Sequence, residues 1–239
     1  MGWVTSIAED RPLPGGASGA TEPTSVKGLV VDWGGVLTTG LRESLAAWAE
    51  ADGIDYVHYE QVMRDWLGDS YGQQARVNPV SALERGEMQV PHFEEELARR
   101  LRTRDGLAVP AEGLLRRMFE RFEHAPDMNA VVRRARRTGI RTALLSNSWG
   151  NSYPRDGWDE MFDAVVISGE VGMRKPEPGI YLHVAQLLRL DPAECVFVDD
   201  LSINVRAAVE VGMVGVHHTS YDCTVAELEA VLGVTLSAD

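Results

Sequence analysis

Five polar residues stand where short apolar stretches of the sequence end, or where a helix is expected to begin. Asp32, Ser146 and the pair Asp199-Asp200 each end or follow an apolar run, and Lys175 precedes a proline at an expected helix start. In an open parallel sheet such ends lie at one edge, so these side chains are expected to converge. Three carboxylates brought together repel one another unless a cation holds them. Because these ligands are oxygen atoms alone, the pattern predicts a Mg²⁺ site.

The apolar stretches that carry these residues are typical of strands buried on both faces. Amphipathic helical segments separate the later stretches, at residues 128–138, 176–190 and 203–211. This alternation predicts an α/β fold, a doubly wound, Rossmann-like parallel sheet with helices on both faces. The expected strands lie at residues 28–33, 142–146, 164–168, 195–199 and 214–217.

A different kind of sequence separates the first two expected strands. Residues 39–125 show helical periodicity and no convincing strand. They are interpreted as a helical cap domain, inserted into a core formed by residues 27–38 and 126–239. Residues 1–26 contain several proline and glycine residues among small polar ones. This composition predicts a flexible N-terminal tail without a chemical role.

The composition of the chain excludes some classes of partner and indicates a cellular location. The 239 residues include 36 acidic and 23 basic side chains, which give a formal net charge of −13. Nucleic acid and anionic membrane surfaces need a basic footprint, so neither is expected as the main partner. No stretch of about 18 apolar residues predicts a membrane span. Two cysteines without metal-binding spacing indicate reduced thiols and a cytoplasmic location.

Four short motifs, taken in order, resemble those of the haloacid dehalogenase superfamily. They are Asp32-Trp33-Gly34-Gly35-Val36-Leu37, Ser146-Asn147, Lys175-Pro176 and Val198-Asp199-Asp200 with Asn204. The resemblance covers roughly residues 27–220, and residues 39–125 resemble the helical cap that this superfamily carries after its first motif. Each motif alone is a weak signal. All four in order, each at an expected strand end or helix start, are a strong one.

The resemblance implies a nucleophile and a metal site. Asp32 would attack phosphorus and form an aspartyl-phosphate that water then hydrolyses. Mg²⁺ would be held by Asp32, by the backbone carbonyl of Gly34 and by Asp200. Asp199 would support the metal through less direct contacts, and Asn147 and Asn204 would orient their neighbours.

The resemblance also implies a phosphate-binding set. Ser146 and Lys175 would hold the transferring phosphoryl group, with Lys175 neutralising charge near the nucleophile. Gly34, Gly35 and Asn147 complete the residues expected to contact the substrate.

One position departs from the pattern of the superfamily's phosphatases. They usually carry a second Asp two residues after the nucleophile, which acts as general acid and base, and Gly34 stands there instead. Glycine cannot transfer a proton, a function worth roughly 10²–10⁴-fold in rate. Three interpretations are open: a leaving group that needs little protonation, as in a sugar 1-phosphate or an acyl phosphate; an acid borrowed from the cap or from water; or weak catalysis.

The first interpretation leads to a Mg²⁺-dependent hydrolase of a small phosphorylated metabolite, acting as a monomer or homodimer. The alternative is a catalytically weak family member that binds a metabolite or a protein. A 2-haloacid dehalogenase is a further alternative, because that reaction needs no leaving-group acid. The superfamily's dehalogenases work without Mg²⁺ and lack an acid pair such as Asp199-Asp200, which disfavours this reading.

Overall fold

The computed structural model describes residues 25–67, 78–150 and 152–237. The predicted tail at residues 1–26 lies outside this part of the chain, except for its last two residues. Of these, Val26 is buried and packs with the residues of the core. Among the described helices, none has both the length and the apolar character that a membrane span needs.

The described residues form one parallel sheet of five strands. The strands are β1 Gly28–Val31, β2 Arg141–Ser146, β3 Ala164–Ile167, β4 Cys195–Asp199 and β5 Val214–His217. They lie in the order β3-β2-β1-β4-β5. In the central strand, Val30 is paired with Ala143 on one side and with Phe197 on the other. The predicted parallel α/β sheet is therefore confirmed.

The described residues also form ten α-helices. They are α1 Leu41–Ala51, α2 Tyr56–Leu67, α3 Pro79–Glu84, α4 Val90–Arg100, α5 Leu114–Phe119, α6 Pro126–Arg137, α7 Ser168–Val171, α8 Pro178–Leu188, α9 Ser202–Glu210 and α10 Tyr221–Leu232. The first six lie between β1 and β2 in the chain, and the other four follow β3, β4 or β5.

Alternate residues of the strands bury against opposite layers of helices. In β1, Leu29 and Val31 pack with residues of α6 and α10, whereas Val30 packs with residues of α8 and α9. Successive side chains of a strand point to opposite faces, so a strand covered on both faces is apolar at every position. This double coverage explains the continuous apolar runs of the sequence.

Helices α1 to α5 pack around a hydrophobic cluster of their own. Trp48, Phe93, Leu97 and Leu114 at its centre have no exposed surface. The chain enters and leaves this helical region through two hydrogen-bonded segments. Thr39 N–H donates to the Glu123 carbonyl at 2.7 Å. The adjacent residues on the side of the core form an antiparallel, hydrogen-bonded pair of segments. The division at residues 39 and 125 stays a prediction, which this pairing supports.

Candidate active site

The carboxyl ends of three neighbouring strands bring the predicted polar residues together. Asp32 follows β1, Ser146 ends β2, and Asp199 ends β4 and is followed by Asp200. One carboxylate oxygen from each of the three aspartates lies within 4.8 Å of the others. Asp32, Ser146 and Asp199 are buried, whereas Asp200 is partly exposed. The sheet alone thus accounts for this cluster, since parallel strands end at the same edge.

Lys175 lies between two of these carboxylates. Its Nζ is 2.7 Å from Asp32 Oδ1 and 2.6 Å from Asp199 Oδ2, and the residue is 1% exposed. Burial alone would lower the pKa of Lys175, but Asp199 and Asp32 more than offset it and hold this pKa above its usual range. Lys175 therefore carries a permanent positive charge beside Asp32.

Asn147 holds the backbone of Lys175 with two hydrogen bonds. The Lys175 N–H donates to Asn147 Oδ1 at 2.8 Å, and Asn147 Nδ2 donates to the Lys175 carbonyl at 3.0 Å. Lys175 stands outside regular structure, before α8, where no helix or strand ladder fixes its backbone. The sequence motif Ser146-Asn147 is thereby linked to the motif Lys175-Pro176. Asn147 also lines the cavity beside Asp32, so it stays a candidate for substrate contact.

Asp199 is saturated with hydrogen bonds. Its Oδ1 accepts from the Leu201 N–H at 2.8 Å and from Asn204 Nδ2 at 3.0 Å, and its Oδ2 accepts from Lys175 Nζ and from Asn204 Nδ2. Tyr181 Oη in turn donates to the Asn204 carbonyl at 2.9 Å. A carboxylate with this many donors is held in one orientation, which suits support of a neighbouring site better than direct, mobile contact with a substrate.

Asp200 occupies space that a side chain at residue 35 would fill. Gly35 has a φ of +75°, and a Cβ added to it would lie 2.8 Å from Asp200 Cγ. The Asp200 carbonyl is hydrogen-bonded to His217 Nε2 at 2.9 Å. Glycine is therefore required at residue 35 both for the left-handed backbone and for the close approach of Asp200.

The site carries more negative charge than Lys175 alone balances. Burial raises the pKa of Asp32 to about 7; Lys175 opposes this rise, and the charges of Asp199 and Asp200 add to it. Burial and Asp199 raise the pKa of Asp200 to about 6. A divalent cation among the three carboxylates would remove this excess. The donor set, oxygen without His or Cys, fits Mg²⁺.

Tyr153 is a site residue that the sequence motifs did not reveal. Its hydroxyl lies 2.9 Å from Ser146 Oγ, and its ring meets the Trp33 ring edge-on at 5.2 Å between centroids. Burial raises the pKa of Tyr153 to about 12, so the hydroxyl stays protonated at neutral pH. Tyr153 follows Ser146 by seven residues in an irregular loop, where no periodicity marks it.

Gly34 faces the cavity with room to spare. A Cβ added to it would meet no atom within 4 Å. Gly34 lines the same cavity as Asp32. The absence of a carboxylate at residue 34 is therefore not imposed by crowding among the described residues.

The predicted cap, helices α1 to α5, is joined to the rest of the molecule by a second polar cluster that the sequence did not suggest. Glu84 at the end of α3 forms an ion pair with Arg174, and both side chains are buried. Glu84 also accepts a hydrogen bond from Trp149 Nε1 at 3.1 Å. Burial raises the pKa of Glu84, and Arg174 acts in the opposite direction. Next to this pair, Arg85 forms an ion pair with Glu177.

A cavity of about 620 Å³ lies between the sheet edge and the cap. Asp32, Ser146, Lys175 and Asp200 line it from the core. Side chains of α1, α2, α3 and α5 line it from the other side. A carboxylate, a fixed cation and a hydroxyl group at one wall of a pocket are an arrangement that suits phosphoryl transfer.

The family model for haloacid dehalogenase-like hydrolases matches residues 26–212. This range includes helices α1 to α5 and every motif residue named above. The curated relatives match over part of their own length only. Acyl-CoA dehydrogenase family member 10 of Mus musculus is 28% identical over 221 residues, which are 89% of this chain and 20% of that protein. A sesquiterpene phosphatase of Aspergillus oryzae is 34% identical over 111 residues, which are 44% of this chain and 56% of that protein.

Among solved structures, the fold is shared with a haloacid dehalogenase family enzyme of Bacteroides thetaiotaomicron, crystallised with magnesium and inorganic phosphate. The TM-score is 0.56 at 19% identity, and the similarity covers 81% of this chain and 94% of the other. At this level of identity, the comparison supports the arrangement of sheet and helices.

Proposed function

Since the chain belongs to the haloacid dehalogenase-like hydrolase family, we propose that it is a Mg²⁺-dependent phosphatase that cleaves a small phosphorylated metabolite with Asp32 as nucleophile. The observation that carries this proposal is the position of Lys175, whose ammonium group contacts both Asp32 and Asp199. A buried cation at the nucleophile favours the approach of a phosphate dianion, which the carboxylates alone would repel.

The chemical step follows from these positions. A carboxylate oxygen of Asp32 attacks phosphorus, and the bond from phosphorus to the leaving oxygen breaks. Water then attacks the phosphorus of the aspartyl-phosphate, so inorganic phosphate leaves and the carboxylate of Asp32 is restored. Ser146 and Lys175 hold the equatorial oxygens during both steps. Tyr153 Oη, next to Ser146 Oγ, donates a further hydrogen bond to the phosphoryl group.

Asp32, the backbone carbonyl of Gly34 and Asp200 would hold Mg²⁺ in this proposal. When bound, the ion would neutralise phosphate charge and polarise a phosphoryl oxygen. Asp199 orients the site indirectly, because its oxygens are engaged by Lys175, Leu201 and Asn204.

The glycine at residue 34 restricts how the leaving group can be protonated. With no carboxylate at this position, the departing oxygen receives its proton from water or from a cavity hydroxyl such as Tyr153, or else needs none. An acyl phosphate satisfies the last condition, because a carboxylate is a stable leaving group. The relatives' named activities include sesquiterpene phosphate hydrolysis, which supports phosphate release as the reaction.

The test measures phosphate release from acetyl phosphate and from phosphomonoesters by the full chain, with Mg²⁺ and with a chelator. We expect the chelator to stop release, and Asp32→Asn to lower it by about 10³-fold or more. Asp105→Asn, an exposed aspartate of the cap, serves as the matched control and should leave release unchanged. Release that survives Asp32→Asn would disprove the proposal. Metal-independent halide release from a 2-haloacid would replace it with the dehalogenase alternative.

A further inference from the structure

The cavity beside Asp32 is larger than a phosphoryl group requires. Its volume of about 620 Å³ lies in the range of pockets that enclose a whole small organic molecule, roughly 300–1,000 Å³. The phosphoryl group would occupy the wall that carries Lys175 and Ser146. The remaining volume lies against the cap helices and would receive the rest of the substrate.

The cap side of this volume is mainly apolar. It is lined by aliphatic and aromatic side chains from four helices and the turn after α5: Leu45, Met63, Val80, Met118, Phe119 and Phe122. Such a surface binds a ligand by removing apolar area from water. These six side chains offer no hydrogen bonds to a polyhydroxylated ligand, whose hydroxyl groups would lose their water against them without replacement.

Several charged side chains on the same side already have protein partners. Glu84 accepts hydrogen bonds from Trp149 and Arg174, and Arg64 lies 4.0 Å from Glu60. A sugar hydroxyl that reached Glu84 would have to displace one of its partners. A buried polar group left unpaired is unfavourable, so the apolar part of the lining disfavours a sugar.

Resting on the proposed phosphatase function, we infer that the phosphoryl group of the substrate is attached to a bulky apolar body, a hydrocarbon chain or ring. The head group binds at the sheet edge, and the apolar body fills the volume beneath the cap. Among the leaving groups that suit Gly34, this favours an acyl phosphate with a long hydrocarbon part over a sugar 1-phosphate.

The first test is a binding measurement that needs no turnover. Propyl-, pentyl- and octylphosphonate are titrated into the full chain with Mg²⁺, and Kd is measured by calorimetry. We expect Kd to fall about fourfold for each additional methylene that is buried. We expect 2,3-dihydroxypropylphosphonate to bind no more tightly than propylphosphonate. Equal Kd values across the alkyl series, or tighter binding of the dihydroxy compound, would overturn the inference.

Hydrolysis of acetyl phosphate and of octanoyl phosphate, measured on the same preparation, separates this inference from the proposed function. Hydrolysis with a flat alkyl series would reject the apolar substrate and keep the phosphatase. No hydrolysis, with a Kd that falls along the series, would reject the phosphatase and keep an apolar phosphorylated ligand.

A matched pair of variants tests where the hydrocarbon part of the ligand binds. Leu45→Gln places an amide of similar size on the cavity wall, and Leu187→Gln makes the same change on the exposed side of α8. We expect the gain in affinity from propyl- to octylphosphonate to shrink several-fold in Leu45→Gln and to be unchanged in Leu187→Gln. Circular dichroism checks that both variants are folded. An undiminished gain in folded Leu45→Gln would contradict the inference.

Discussion

The sheet edge and the cap face each other across one cavity, yet different contacts hold their side chains. At the edge, Asp199 accepts hydrogen bonds from Lys175 at 2.6 Å and from Asn204 at 3.0 and 3.1 Å. In the cap, Phe93 and Leu97 are buried among other apolar side chains. Hydrogen bonds are directional and lose strength with small displacements, whereas apolar packing depends mainly on volume.

This difference indicates which part of the molecule tolerates substitution. A carboxylate with several fixed donors cannot shift without losing one of them. An apolar wall can exchange Leu for Met, or move by a methyl group, at a modest cost. The edge therefore limits the reaction to one kind of chemistry, while the cap leaves the shape of the substrate adjustable.

The largest expected effect comes from breaking the buried ion pair that joins the two regions. Glu84→Leu would leave the guanidinium of Arg174 buried without its partner. We expect the free energy of unfolding to fall by about 3–5 kcal/mol, measured by urea denaturation. The double variant Glu84→Leu with Arg174→Met should recover most of the loss, because an apolar pair can replace a buried ionic one.

The exposed ion pair of Arg116 and Glu120 on the cap provides the control for that experiment. Both side chains are more than half exposed, so Glu120→Leu should change the unfolding free energy little. If Glu84→Leu has no greater effect than Glu120→Leu, the cap and the core are not joined through Glu84.

The next largest effect is expected on the rate of phosphate release, when a general acid is added at the sheet edge and the rest of the cavity is unchanged. Gly34→Asp would supply the missing general acid, and the position has room for a side chain. We expect phosphate release from an alkyl phosphate to rise by about 10²-fold in kcat/KM. Release from an acyl phosphate, whose leaving group needs no proton, should change far less.

Gly34→Asn is the matched control for the acid, because it has the same shape without a titratable proton. An equal gain with Asn would mean that the side chain acts by binding rather than by proton transfer. No gain with Asp would mean that Tyr153 or water already protonates the leaving group.

A smaller effect, on the Mg²⁺ requirement, should distinguish substitutions at the two adjacent glycines. Gly35→Ala must adopt a φ of +75° and meets the carboxylate of Asp200, whereas a Cβ at Gly34 meets nothing within 4 Å. We expect the Mg²⁺ concentration for half-maximal phosphate release to rise about tenfold in Gly35→Ala and much less in Gly34→Ala. Equal titration curves for the two variants would show that Asp200 does not depend on the space left by Gly35.

The fold and the carboxylate cluster could be predicted because their signals are local. A strand buried on both faces is apolar throughout, so its first polar residue marks the sheet edge. Asp32 and Ser146 were found in this way. Helix bounds were predicted less well: the helix expected at 176–190 runs from Pro178 to Leu188. Pro178 begins it, because proline suits a first turn.

The remaining parts of the site depend on contacts between residues far apart in the chain. The ion pair of Glu84 and Arg174 joins positions 90 residues apart, and no short motif marks either partner. Tyr153 lies in an irregular loop, where neither a helical nor a strand period assigns its direction. Asn147 was expected to orient a neighbour, but that this neighbour is the Lys175 backbone follows from two segments that meet only in the folded chain.

The paired segments at Thr39 and Glu123 have a consequence for how such a molecule diversifies. Both ends of the intervening helices lie side by side at these segments, so the backbone of the strands can stay in place when the length of the insert changes, provided that contacts such as the Glu84–Arg174 pair are kept. Mutation, lengthening or replacement between these two points alters which molecules are admitted, while the reaction itself is inherited unchanged. This architecture therefore evolves a new substrate specificity more easily than a new reaction.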